Sequence, residues 1–196
     1  MNIKNAKILK HLETHPKSAK SISWYFADLW NVVKDYDYKL IGKPYGCTPM
    51  LEAWLNDPNL KEYHDLILNY DKAGIEHESL PFIDYADFTL GNALGIAQGI
   101  SIANPSKKIF VFISDAQMNM GVVQEAISSI ASMHLNNILL AIDYNFKGSR
   151  GELLNLPRID LDGWNCSQIR YPSKTGMICK YTPNAWFYIN EQQISN

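Results

Sequence analysis

Residues 108–145 read KIFVFISDAQMNMGVVQEAISSIASMHLNNILLAIDYN, and their periodicity sets the fold class. Two short apolar runs, at 109–113 and 138–142, flank a segment over 120–134 with helical spacing of its apolar positions. A membrane span needs about 20 apolar residues, so these runs read as buried strands. Continuous apolar strands alternating with helices predict a parallel β-sheet with helices on both faces, an α/β fold. Working outward, a helix is expected over 91–103, strands over 108–113 and 137–142, and a last strand near 177–181. Nearer the start, Trp24, Phe26, Leu29, Trp30 and Val33 space as one helix face, and 42–49 is a turn-rich loop before a helix over 50–55. Residues 60–85 read as irregular, with Pro81 marking extended chain. No repeat or linker divides residues 1–196, so one domain is expected.

Composition narrows the function classes. The chain has 196 residues, of which 46% are hydrophobic and 19% charged, the balance of a folded protein with a real core. A formal net charge of −2 gives no electrostatic footprint for nucleic acid. The basic start lacks the apolar core of a signal peptide, and no membrane association is expected. Cys47, Cys166 and Cys179 form no pair close in sequence, which gives no support to a zinc or thioredoxin motif and little to a disulfide framework. A cytoplasmic location is the expectation. The aromatic content, 12% with five Trp, reads as packing rather than base stacking, since no basic stripe accompanies it.

Ligands of open α/β sheets bind at the carboxyl ends of the strands. Asp115 and Asn145 each follow a predicted strand, thirty residues apart, one strand–helix–strand unit. Neighbouring strands lie about 4.8 Å apart, so both side chains can reach one point above the sheet. A carboxylate and an amide oxygen are hard ligands that suit magnesium or calcium, with phosphate oxygens completing the shell. On spacing alone the alternative stays open that Asp115 caps a helix and Asn145 fills a turn. Gly91, Gly95 and Gly99 recur every four residues on one helix face, which suggests close approach of a ligand or another helix. With the apolar face around Val122, Val123 and Ile127, the row suggests helices packed across a two-fold axis between subunits.

The stretch FTLGNALGIAQGISIA (88–103) resembles the transketolase-family segment G-S-L-G-x-G-L-x-x-A-x-G-x-A-x-A. The stretch 112–126 resembles that family's G-D-G-E-x-x-E-G-x-x-W-E-A, and 135–145 its L-x-N-L-x-x-x-x-D-x-N, where the thiamine-diphosphate fingerprint ends. The resemblance is continuous over 89–145 and weaker outside it, as in Ser21-Ile-Ser23 and Ile41-Gly-Lys-Pro-Tyr45. It implies a thiamine-diphosphate-binding fold that holds the cofactor and Mg2+ (or Ca2+). Asp115, the Asn145 side chain and the Lys147 carbonyl would hold the metal. Ser114 and Ala116 would flank the diphosphate, and Phe88, Leu90 and Gly91 would line the aminopyrimidine side. Tyr45 stands where a histidine facing substrate and cofactor is common, and Glu125 matches a glutamate at the subunit contact.

The departures from the family pattern are specific. Ser114-Asp115-Ala116 replaces G-D-G, and Gln117 and Met120 replace acidic residues, which would remove part of a charged network between active sites. Lys17 or His15 stands where a further histidine is expected. Family members also carry a pyrimidine-binding domain, which supplies the activating glutamate; the sequence ends at Asn196 before one is met. The resemblance therefore implies one subunit of a split transketolase-like transferase, paired with a pyrimidine-binding subunit in a homodimer or heterotetramer and acting on small sugar-type substrates. The alternatives are a subunit of a 2-oxo acid synthase or decarboxylase, and a non-catalytic homologue. A receiver-like phosphoacceptor role for Asp115 lacks the acidic pair it would need on an earlier strand.

Overall fold

The computed structural model describes residues 29–42, 53–70, 80–86, 90–144, 147–148, 151–152, 164–171 and 174–181. In chain order, a short helical segment (29–33) leads to β1 (Tyr38–Ile41), and a second (53–56) to a 3₁₀ turn (Pro58–Tyr63) and α1 (His64–Tyr70). Next come β2 (Tyr85–Ala86), α2 (Asn92–Ala103), β3 (Ile109–Ser114), a 3₁₀ turn (Asp115–Asn119), α3 (Gly121–Ser132) and β4 (Ile138–Tyr144). A two-residue ribbon, β5 (Lys147–Gly148) with β6 (Gly151–Glu152), precedes β7 (Trp164–Tyr171) and β8 (Lys174–Tyr181). The main sheet has the order β2-β1-β3-β4-β8-β7, parallel from β2 to β4. Among the described residues no helix is long and apolar enough to cross a membrane.

Alternation along the central strands sorts two cores. Ile109, Val111 and Ile113 of β3, with Ile138, Leu140 and Ile142 of β4, pack against α2 and α3. Those helices present Ala93, Leu94 and Ala97, and Val123, Ala126, Ile127 and Ile130, at the spacing of one helix face. Phe110, Phe112, Leu139 and Ala141 point to the opposite face, where Leu29, Trp30, Trp54, Leu60 and Ile67 cover them. A strand buried on both faces needs an unbroken apolar run, which is why all six residues of β3 are buried. The placement of helices follows from handedness. The chain moves one way from β1 to β2 and the other way from β2 to β3 and β4, so right-handed crossovers put their covers on opposite faces.

The second core centres on three aromatic rings. Trp54 meets Phe82 and Trp30 edge-on, with centroids 5.2 and 6.0 Å apart. Trp30 Nε1 donates to Asp57 Oδ2 at 2.8 Å, and Asp57 Oδ1 accepts from Asn59 N–H, capping the 3₁₀ turn that opens at Pro58. Trp54 has no exposed surface. Trp54→Ala is expected to destabilise the fold by about 3–5 kcal/mol, read as a lowered urea midpoint with unchanged slope.

Three sequence expectations change here. Residues 60–85 are not all irregular: Asp57-Pro58 is a capping residue followed by proline at the first helical position, and α1 follows the turn it starts. The four-residue β1 was not foreseen, being too short to show a period. The expected last strand is half of a hairpin that pairs antiparallel with β4, so the sheet is parallel only over β2-β1-β3-β4. Two residues join β7 to β8, whereas parallel neighbours need a crossover of a dozen or more.

Candidate functional site

The strand order reverses at β1, so the crevice of this sheet lies between the carboxyl ends of β1 and β3. Gly42 follows β1 at that point and Asp115 follows β3. Asp115 is fully buried at the head of the 3₁₀ turn, and its Oδ1 accepts from the Ala116 N–H at 2.8 Å. A carboxylate taken wholly out of water costs several kcal/mol unless hydrogen bonds and a cationic partner offset it. Ser114 and Ala116 keep the surroundings of Asp115 small.

Gln117 ties the two strand ends together. Its Oε1 accepts from the Ser114 N–H at 2.8 Å, and its Nε2 donates to the Gly42 carbonyl. The side chain is fully buried and bridges one donor and one acceptor, which a neutral amide satisfies and a carboxylate does not. By sequence Gln117 stands where the resemblance implies an acidic network residue; in the structure it is a clasp that needs no charge. Gly42 is held just as closely, since a Cβ there would sit 2.9 Å from Ala93 Cβ and 3.1 Å from Ile113 Cγ2.

The helix starts converge at the same end. Gly91 has φ 102°, and a Cβ on it would lie 2.8 Å from Val122 Cγ1. The first turn of α2 is therefore pressed against the start of α3, and Gln124 Nε2 donates to the Met118 carbonyl to tie α3 to the 3₁₀ turn. The glycine row divides here, because Cβ atoms at Gly95 and Gly99 would meet nothing within 4 Å. Opposite signs are thus expected in urea unfolding. Gly91→Ala should destabilise by about 1–3 kcal/mol through its backbone and the contact with Val122. Gly95→Ala should stabilise by about 0.5–1 kcal/mol. Val123 and Ile127, expected on a face turned to another subunit, are instead buried in the chain's own core; Val122 is 43% exposed and Glu125 is exposed.

Of the residues singled out in the sequence, Ser114, Asp115 and Ala116 stand at the crevice, and Gly91 is buried at the start of α2 beside a half-exposed Leu90. The ribbon carrying Lys147 has Cα atoms within 8 Å of those of the Asp115–Asn119 turn. In register, Ser114 faces Asp143, and β4 ends at Tyr144, the residue before Asn145. Asn145, Phe88 and Tyr45 lie outside the described residues. Among the described residues no three His, Cys, Asp or Glu side chains cluster to hold a metal. Sequence reasoning missed Gly42 as a site element; its signal was a glycine directly after a short apolar stretch, Leu40-Ile41.

The sheet order and the strand-end carboxylate define a doubly wound α/β domain with its candidate site at the switch point. No protein-family model matches the chain. It is similar to transketolase-like protein 2 of Homo sapiens, 26% identical over 125 residues, which cover 60% of this chain and 20% of that protein. The Bos taurus transketolase-like protein 2 gives 26% over 126 residues, with the same shares. The 1-deoxy-D-xylulose-5-phosphate synthase of Fusobacterium nucleatum gives 42% over 55 residues, 28% of this chain and 9% of that protein. The chain thus matches a fifth or less of the length of these relatives. These similarities relate it to the transketolase family.

Proposed function

We propose that this chain is the thiamine-diphosphate- and magnesium-binding part of a transketolase-type enzyme that transfers a two-carbon ketol or acyl unit, and that a pyrimidine-binding partner chain completes its site. The observation that carries the proposal is Asp115: a fully buried carboxylate at the carboxyl end of β3, beside the β1/β3 switch point. Thiamine diphosphate, held there, would supply a thiazolium carbon acid as the source of a nucleophilic carbon.

The residues fit that group. Asp115 offers the charge that a divalent cation requires. Asn145 and the Lys147 carbonyl are the further oxygens of the proposed set, and the ribbon bearing Lys147 lies against the Asp115 turn. The start of α2 reaches the same end of the sheet, where helix N–H groups favour a diphosphate. Gln117 holds the two strand ends at a fixed separation.

The partner requirement is tested by proton exchange at the thiazolium carbon, followed by NMR in deuterated buffer. The purified chain with saturating thiamine diphosphate and Mg2+ is expected to exchange no faster than the free cofactor. Accelerated exchange would show that the chain supplies its own activating acid. A second reading, use of the same fold in a synthase, is favoured by the 42% identity over 55 residues to a synthase. With the partner present, products from sugar-phosphate and 2-oxo acid donors separate the two readings.

A further inference from the structure

We propose that Cys166 and Cys179 form a reversible cross-strand disulfide that locks the β7–β8 hairpin at the edge of the sheet. In sequence the two residues are thirteen positions apart and belong to no redox motif. The fold removes that distance. β7 and β8 pair antiparallel from Trp164↔Tyr181 to Tyr171↔Lys174, and in that register Cys166 stands directly opposite Cys179.

Directly opposed residues on antiparallel strands share a face of the ribbon, with Cα atoms about 4.5–5.5 Å apart. That separation falls within the range of roughly 4.4–6.8 Å that a disulfide spans. β8 is held from both sides, pairing with β7 along one flank and with β4 along the other, where Cys179 lies opposite Leu140. A slip of β7 by one residue would put the two cysteines on opposite faces, and the eight paired positions closed by a two-residue turn oppose such a slip. The bond would tie the outer strand to β8, which itself pairs with β4 up to Tyr144 beside the candidate site.

The chemistry needs an oxidant of the disulfide class. The thiolate of one cysteine attacks a sulfur of a small-molecule disulfide, forming a mixed disulfide and releasing one thiolate. The second protein thiolate then displaces the other small thiol. The two protein thiols lose two protons and two electrons, and the oxidant is reduced to two thiols.

The experiment uses the full chain equilibrated with oxidised glutathione, then alkylated, digested with trypsin without reduction and analysed by mass spectrometry. Cleavage after Arg170 and Lys174 separates the peptides carrying the two cysteines. The expected result is a linked Cys166–Cys179 peptide pair, loss of two of the three free thiols, and reversal by dithiothreitol. Cys47→Ser should leave this outcome unchanged, whereas Cys166→Ser should stop at a persistent glutathione adduct on Cys179. Stable glutathione adducts on both Cys166 and Cys179, pairing of either with Cys47, or three free thiols at equilibrium would each overturn the proposal. None of these outcomes depends on cofactor binding, so the proposal stands or falls apart from the functional reading.

Discussion

Asp115→Ala is expected to abolish magnesium-dependent binding of thiamine diphosphate, weakening it by about a hundredfold or more in calorimetric titration, roughly 3 kcal/mol. The reason is electrostatic. A diphosphate carries two or three negative charges, and Asp115 is a buried carboxylate at the same strand end, so the two approach only through a bridging cation. Without the carboxylate the cation loses its one charged protein ligand of the proposed set. Asp115→Asn keeps the shape and removes the charge, and it should lose nearly as much. Circular dichroism should show both variants folded, which separates loss of the ligand from loss of the domain. Unchanged affinity in a folded Asp115→Ala protein would refute the site.

Gln117→Glu should make stability depend on pH. In the folded protein this side chain must donate to the Gly42 carbonyl and accept from the Ser114 N–H, and only a protonated carboxyl does both. The folded-state pKa of the new glutamate therefore lies above its unfolded value of about 4.3. Its stability contribution is fully present below that unfolded value and is lost as pH rises through the folded pKa. Near pH 4 the variant should match the wild type closely, and at pH 8 it should be less stable by about 2–4 kcal/mol, from a buried charge facing a carbonyl. Gln117→Leu leaves both strand-end groups buried without partners and should cost a similar amount at either pH. Urea unfolding of the two variants beside the wild type, at both pH values, reads the difference. A pH-independent Gln117→Glu deficit would show that the clasp does not distinguish amide from carboxylate.

The middle of the fold was legible because it is locally determined. The apolar runs of β3 and β4 and the helical spacing between them fix a strand–helix–strand unit without reference to the rest of the chain, and Asp115 follows directly at its strand end. What was not legible depends on long-range pairing. β1 has four residues and β2 two; β1 becomes a strand because β3 is present to pair with, and β2 because β1 is. The switch point depends on where those short strands sit, so the glycine after Leu40-Ile41 was visible as a local signal but its place at the crevice was not. Gln117 shows the same limit. In sequence it is a missing negative charge, and only its contact with a carbonyl 75 residues earlier explains why an amide stands there. Cys166 and Cys179 likewise meet only through the register of the hairpin.

Val123 and Ile127 illustrate a different confusion. An amphipathic helix shows that one face is covered without saying by what. The sequence suggested another subunit, whereas the face packs on the chain's own sheet, beside Ile113 and Leu140. Gly91 had a signal that could be read, a glycine where the chain enters a helix. Its φ of 102° and its closeness to Val122 show that the constraint is both conformational and steric. Gly95 and Gly99 share its spacing but not its surroundings.

The most direct test of the proposed site is an anomalous-difference map from crystals grown with thiamine diphosphate and Mn2+ in place of Mg2+. The expected result is a manganese peak within about 2.5 Å of an Asp115 carboxylate oxygen, with the diphosphate beside the Asp115–Asn119 turn. Ordered thiamine diphosphate with its manganese peak elsewhere, or a peak that never approaches the carboxyl end of β3, would contradict it.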